Sequence, residues 1–284
     1  MKRFNETLNE NKFTDAVGHD MPMSPKRKRQ LESDKGPFKD FPVQLWLDYT
    51  PYRNSSEETK RELRQLQSYQ TYRKDAKDFM ELVDTKIMKP FRRYFKKHDL
   101  DMKVIDEVSK LKDNLNPIVL QLKVHYNRPR PAKLARALTF HKELNFTVHP
   151  LKTAETPAYP SGHATEGRFI SLYLADRVPF EHKGNIKKIG DDIGHSRQIG
   201  GVHYPTDTEF GHQLAGALYN YYNNETGLVK ERVNFQDIEI LQEGGMKPSG
   251  EDLFKRNNKD EFIEKGSKGK LVDVDGNTLK IKNN

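Results

Sequence analysis

The sequence predicts an all-α fold, and two observations carry that expectation. Apolar residues recur at helical spacing from Leu63 to Ile87, from Ile105 to Leu122 and from Phe169 to Tyr221. Between residues 41 and 222 no segment alternates apolar and polar side chains as a half-buried strand does. Both ends of the chain are polar, so the core must be built from about 41 to 222.

Residues 1–40 carry few apolar side chains and the basic run Lys26-Arg27-Lys28-Arg29 after Pro22 and Pro25. They predict an extended or loosely packed arm, with the basic run a solvated charge cluster rather than a localisation or nucleic-acid patch. Phe41, Trp46, Tyr49 and Tyr52 mark a segment packed on the domain surface. Ser55-Ser56-Glu57-Glu58 reads as a helix start, with hydroxyl caps and acids in the first turn. The periodic pattern continues through Leu66, Tyr69, Tyr72, Phe79, Leu82 and Val83 to Ile87, then breaks near Pro90. Residues 103–126 predict further helix, ended by Pro129 and Pro131, with Lys123 on its last turns. Pro150, Pro157 and Pro160 make 139–160 irregular. Three helices follow: one from Gly162–Thr165 to about Val178, one from Asn185 to Ile199, and one after Pro205 carrying Phe210, Leu214, Ala217, Leu218 and Tyr221.

From about 227 the chain is rich in Lys, Glu, Gly and Asn, and residues 270–282 read as a small β-hairpin around Asp275-Gly276. Asp273, Asp275 and Asn277 imitate a calcium loop superficially, but the sixth position is Thr278 and the twelfth Asn284, so calcium is rejected. The division expected is therefore an arm (1–40), a helical domain (41–226) and a charged extension (227–284).

Hydrophobic residues make up 34% of the chain and charged residues 32%, with a net charge of +8. That balance favours anionic partners without choosing among them, and it is equally the mark of a soluble surface. Nucleic acid is thus permitted but unsupported, and nothing specifies an oligomeric state. No run approaches the ~18–20 apolar residues needed to span a bilayer, so no integral membrane association is expected. The first ten residues lack an apolar h-region, which predicts a cytoplasmic protein. With no cysteine there are neither disulfides nor thiolate metal sites.

Three short segments carry chemistry: Lys123-x6-Arg130-Pro131, Pro160-Ser161-Gly162-His163 and Ser196-Arg197-x5-His203-x3-Asp207. A phosphoryl group in transfer spreads negative charge over three oxygens, so its catalysis is mostly positioning and electrostatics. Lys123, Arg130 and Arg197 supply fixed cations for that task. Ser161 offers a hydroxyl, and Gly162 an amide where a helix N-terminus favours an anion. His203 and Asp207, four residues apart, meet on one face if a helix begins between them; the carboxylate then fixes the imidazole tautomer and leaves the other nitrogen as a nucleophile. His163 is placed to protonate a leaving alkoxide and later to activate water. Arg128 is a substitute or accessory cation. His125, His141, His149, His182, His195 and His212 read as ordinary surface or core histidines.

In order and spacing the three segments resemble those of the superfamily that joins type 2 phosphatidic acid phosphatases, class A non-specific acid phosphatases and vanadium-dependent haloperoxidases. The resemblance covers 123–207 directly, and Tyr159 before Pro160 adds to the likeness to the acid phosphatases. It implies an α-helical bundle and metal-independent, cofactor-free hydrolysis of a small phosphorylated substrate, a monoester or diphosphate, through a phosphohistidine. Lys123, Arg130, Ser161, Gly162 and Arg197 would bind phosphate; His203 would be nucleophile, Asp207 its partner and His163 the acid. Vanadate would inhibit. The competing readings are a haloperoxidase with vanadate as cofactor on His203, disfavoured because such enzymes are much longer chains, and a silent binding protein with a phosphatase-like core.

Overall fold

A computed structural model describes residues 12–19, 21–138 and 144–225, all within the compact unit Met1–Glu239. The C-terminal hairpin expected at 270–282 lies outside the described residues. Among the described residues, after a helical turn at 12–15, helices follow in order: α1 Pro25–Leu31, α2 Glu57–Ser68, α3 Arg73–Thr85, α4 Lys89–Lys97, α5 Met102–Leu111, α6 Asn116–Tyr126, α7 Pro131–Ala137, α8 Gly162–Ala175, α9 Phe180–Ile199 and α10 Pro205–Glu225. Short 3-10 turns at Gly36–Phe38, Val43–Trp46, Tyr69–Tyr72 and Lys112–Leu115 punctuate them. Among the described residues there is no strand, so the domain is an all-α bundle as expected.

The local chemistry accounts for most boundaries. Ser56 caps α2, its hydroxyl accepting from the Thr59 N–H at 3.2 Å. Pro90, Pro117 and Pro131 all sit in the first turn of a helix, where the missing N–H costs nothing. The breaks fall where the prolines were expected to put them, with α3 ending at Thr85 and α6 at Tyr126; Pro90 then opens α4, and Pro131 opens α7, a short helix the sequence reading did not include. Asn127, left-handed at φ 46°, ψ 31°, closes α6.

The arm also differs. Residues 25–31 are helical, capped by Ser24, and Phe38 is fully buried with its ring edge-on to Phe169 at 5.6 Å. Arg27 donates to the Glu155 carbonyl at 3.2 Å, and the His19 ring meets the same oxygen at 2.9 Å. One apolar anchor and a few backbone contacts fold the segment onto the bundle, which a low apolar content does not reveal.

At the centre α8 packs between α9 and α10. Small residues bring these backbones together: a Cβ added to Gly190 of α9 would stand 2.6 Å from the Gly167 carbonyl and 2.5 Å from Ser171 Oγ. On α10, a Cβ at Gly211 would meet the Ser161 carbonyl at 2.9 Å. Around them Phe91, Phe95, Ile105, Ile118, Phe169, Leu174, Leu214 and Leu218 form the core. A second cluster of rings, with Tyr159 stacked on Phe210 at 4.6 Å and edge-on to Tyr126 at 4.9 Å, backs the loop leading into α8. Among the described residues no helix is long and apolar enough to cross a membrane.

Two glycines of α9 should respond oppositely to alanine. Gly190→Ala should cost about 1–3 kcal/mol, because backbone atoms occupy the space. Gly184→Ala, whose Cβ meets nothing within 4 Å, should stabilise by roughly 0.5–1 kcal/mol through helix propensity. Thermal denaturation of both variants checks the contrast, and equal shifts would refute the close packing.

Candidate active site: a cation-lined cavity

Five elements deliver the predicted residues to one place. Lys123 comes from the last turn of α6, Arg130 from the segment before α7, and Gly162 and His163 from the first turn of α8. Arg197 comes from the last turn of α9, and His203 from the turn before α10. All six line a cavity of about 510 Å3. Ser161 and Asp207 stand behind its wall. Ser161, fully buried, is the N-cap of α8, its Oγ accepting from the Ala164 N–H at 3.3 Å. Its N–H donates to the Asp207 carbonyl at 2.9 Å, tying α8 to α10.

Helix α10 begins at Pro205, between His203 and Asp207, so the two side chains meet: His203 Nδ1 lies 3.0 Å from Asp207 Oδ2. The same oxygen accepts the Tyr204 N–H at 2.9 Å. With Nδ1–H donating to the carboxylate, Nε2 holds its lone pair toward the cavity, where the Arg130 guanidinium donates to it at 2.9 Å. Burial pushes the His203 pKa well below its usual value, and the charges of Arg130, Lys123 and Arg197 push the same way. His203 is thus biased toward its neutral form, with the Nε2 lone pair available.

The two arginines flanking Pro129 divide. Arg130 faces the cavity, donating to the Thr156 carbonyl at 2.6 Å and the Val202 carbonyl at 2.7 Å. Arg128 lies behind it, donating to Asp207 Oδ1 at 2.6 Å, Glu62 Oε2 at 2.7 Å and the Thr206 hydroxyl at 2.8 Å, with its guanidinium 3.8 Å from the centre of the Tyr204 ring. Arg128 is thus a buried structural cation, not an accessory one in the cavity. Burial alone would lower its pKa, but the carboxylates of Asp207 and Glu62 outweigh burial and raise it. For Asp207 burial pushes the carboxyl up, opposed by Arg128 and the Tyr204 N–H.

Asp84 and Thr153 belong to the site although sequence reasoning did not select them. Asp84, near the end of α3, accepts from Arg197 at 2.8 Å, from the Thr153 hydroxyl at 2.5 Å and from the Lys152 N–H at 2.7 Å. Burial would raise its pKa, but the bonds from Thr153 and Arg197 prevail and hold it below the usual carboxylate range. Its carbonyl faces His163 Nε2 at 3.1 Å, which fixes that ring too. A signal was present: Met80, Val83, Asp84 and Ile87 share one helical stripe, so an acid sits where the pattern calls for an apolar residue. Glu62, in the stripe of Thr59, Leu63 and Leu66, is the same case.

The electrostatics are lopsided. Arg197 has Asp84, and Arg128 has Asp207 and Glu62. Lys123 and Arg130 have only neutral partners in the described residues: Lys123 donates to the Pro157 and Ala158 carbonyls at 2.6 and 3.4 Å. Burial lowers the Lys123 pKa, and Arg130 beside it lowers it further; burial likewise brings Arg130 down to about 9. His163 falls to about 3 through burial and then the Arg197 charge. Each of these shifts is a response to positive charge held out of water, and an anion in the cavity would relieve all of them.

The remaining described histidines are absent from the cavity wall. His125 packs on Tyr126, His149 on Glu81, His182 on Tyr94, and His195 edge-on to Tyr69 at 5.1 Å. His212 is half-buried in α10 beside Gly194, and His141 lies outside the described residues.

No protein-family model matches the chain. Over 58 residues, 20% of this chain and 22% of the relative, it is 40% identical to an acid phosphatase of Zymomonas mobilis. Over 96 residues, 34% of this chain and 36% of the relative, it is 31% identical to a non-specific acid phosphatase of Salmonella typhimurium. The chain thus spans between a fifth and two fifths of the length of these curated relatives, and its similarity to bacterial acid phosphatases is confined to that part.

Two measurements test this electrostatic frame. Arg128→Ala should destabilise by about 3–5 kcal/mol, because it strands two buried carboxylates, and its unfolding midpoint in urea reads that loss. Burial lowers the His195 pKa from 6.5 to about 4. Between those values the unfolded chain binds a proton that the folded one refuses, so His195 costs stability as pH falls. The Tm of His195→Phe should therefore gain on that of the native chain as pH drops from 6.5 to 4; a constant difference would show that His195 titrates normally.

Proposed function

We propose that this chain is a phosphatase of the acid-phosphatase type, hydrolysing phosphate monoesters or diphosphates without a metal through a phosphohistidine intermediate. One observation carries the reading: two buried cations, Lys123 and Arg130, held by neutral groups beside an imidazole nitrogen that a buried carboxylate orients. Such a wall is poorly solvated until a multiply charged anion enters it. The same positive field repels a metal ion. The partial similarity to two bacterial acid phosphatases supports the same class of reaction.

The steps follow from the atoms available. A substrate phosphoryl group takes the donors of Lys123, Arg130 and Arg197 and the amides at the start of α8. Arg130 turns its N–H from His203 Nε2 to a phosphoryl oxygen, freeing the lone pair. Nε2 then attacks phosphorus while the bond to the leaving oxygen breaks, and the Nδ1–H to Asp207 bond stabilises the charge that develops on the ring. His163 donates the proton that the leaving oxygen needs. Its Nε2–H is engaged by the Asp84 carbonyl, so Nδ1 is the atom that exchanges the proton. The phosphoryl charge raises the His163 pKa against burial and Arg197, which makes the imidazolium available in the substrate complex. In the second half His163 takes a proton from water, water oxygen bonds to phosphorus, and the Nε2–P bond breaks to release phosphate and regenerate His203.

With EDTA present, phosphate release from p-nitrophenyl phosphate should continue and vanadate should inhibit it. His203→Ala should lose at least about 10⁴-fold in kcat. Rapid quench with labelled substrate should trap label on the native protein and none on His203→Ala. Asp207→Asn should lower kcat by about 10²–10⁴-fold while vanadate affinity changes little. Activity that requires added metal, or survives in His203→Ala, would overturn the mechanism.

A further inference from the structure

The cavity is longer than a phosphoryl group, and α6 is its ruler. Residues Asn116, Val119, Leu120 and Lys123 all line it, and their spacing puts them on one stripe of the helix. Seven residues of rise separate Asn116 from Lys123 by about 10 Å. Helix α8 runs beside this stripe. A Cβ at Gly162 would lie 4.0 Å from Lys123 Cε, whereas Glu166, a turn onward and also on the wall, lies within the fields of Lys112 and Asp113 on one side and Arg197 on the other. Lys112 lines the cavity just before α6, and Gln30 of α1 completes that end. One end is therefore built of cations and imidazoles and the other, open to solvent, of Gln30, Lys112 and Asn116, with Glu166 and aliphatic side chains between them.

We propose that the far end is a leaving-group subsite for a neutral hydroxylated group, so that the substrate is the phosphate monoester of a sugar or polyol. This rests on the phosphatase reading above. The amides of Asn116 and Gln30 each donate and accept, and Glu166 adds acceptor oxygens; hydroxyls complement both kinds of group. Val119 and Leu120 suit the carbon skeleton between. The amides of Asn116 and Gln30 face solvent, so a long alkyl chain lying across them would cover them unpaired, at a cost that disfavours it. A second phosphate would stand beside Glu166, with the ammonium of Lys112 already spent on Asp113. Lys28 and Arg29, next to Gln30, are exposed and form no part of the wall.

The test compares kcat/KM for a hexose phosphate, dodecyl phosphate, inorganic diphosphate and p-nitrophenyl phosphate. The hexose ester should lead the dodecyl ester and diphosphate by at least about tenfold. In Glu166→Ala and Asn116→Ala the ratio of hexose phosphate to p-nitrophenyl phosphate should fall about tenfold, the loss of one good hydrogen bond. Glu166→Gln, which keeps an acceptor, should retain most of it. Binding is measured separately by calorimetry on His203→Ala, where the hexose phosphate should bind at least about tenfold tighter than inorganic phosphate, and Glu166→Ala should abolish that gain. Hydrolysis without selectivity, or equal affinity for the two ligands, overturns the subsite. Selective binding with no hydrolysis by the native chain leaves the subsite standing and removes the phosphatase reading instead.

Discussion

Two positive charges held out of water are the constraint around which this domain is organised. Lys123 and Arg130 are buried without carboxylates of their own, and the backbone meets their demand: the carbonyls of Thr156, Pro157, Ala158 and Val202 turn toward them. That requirement explains why the segment ahead of α8 is irregular. A helix would spend those carbonyls on its own N–H groups; a proline-punctuated loop leaves them free. Tyr159 and Phe210 then clamp the loop from behind with stacked rings.

Behind the cations lies a layer of buried ion pairs. Arg128 joins Glu62 of α2 to Asp207 of α10, and Glu62 also accepts both the N–H and the hydroxyl of Thr206 at 2.8 and 2.7 Å. Asp84 of α3 balances Arg197 and, through its carbonyl, orients His163. Lys123 and Arg130 leave surplus positive charge on the cavity wall, whereas behind it Arg128 faces two carboxylates, so an incoming anion meets a positive field while the scaffold remains whole without it. His203 lies between the layers, its two ring nitrogens facing one each.

Much of this was legible in the sequence, and the remainder has identifiable physical reasons. The residues that line the cavity stand in short segments where glycine, proline, arginine and histidine are unusual company, and periodicity gave the helices that carry them. The balancing layer was missed because acids such as Asp84 and Glu62 sit singly in long helices, where each resembles a solvated side chain until its stripe is traced. Spacing selected Arg130 as the cavity cation, but it gave no sign that Arg128 would turn behind the wall to Asp207 and Glu62. Ser161 was chosen for its hydroxyl, whose oxygen also caps α8 by accepting the first-turn N–H of Ala164, a duty the sequence did not announce. The folding of residues 25–38 onto the bundle depends on the single ring of Phe38 and on backbone acceptors, neither of which leaves a periodic trace.

The close approach of α8 to α9 and α10 has a consequence for how such a domain can change. At Gly167, Gly190 and Gly211 main chain rests on main chain or on side-chain atoms next to it, so the helices are spaced by hard repulsion and not by rotamers. The span between the imidazole at the head of α8 and the guanidinium at the foot of α9 is then a property of the polypeptide backbone. Outward-facing positions on these helices are free to vary in charge and bulk, adapting the molecule to a new salt concentration or a new neighbour, without detuning the chemistry inside.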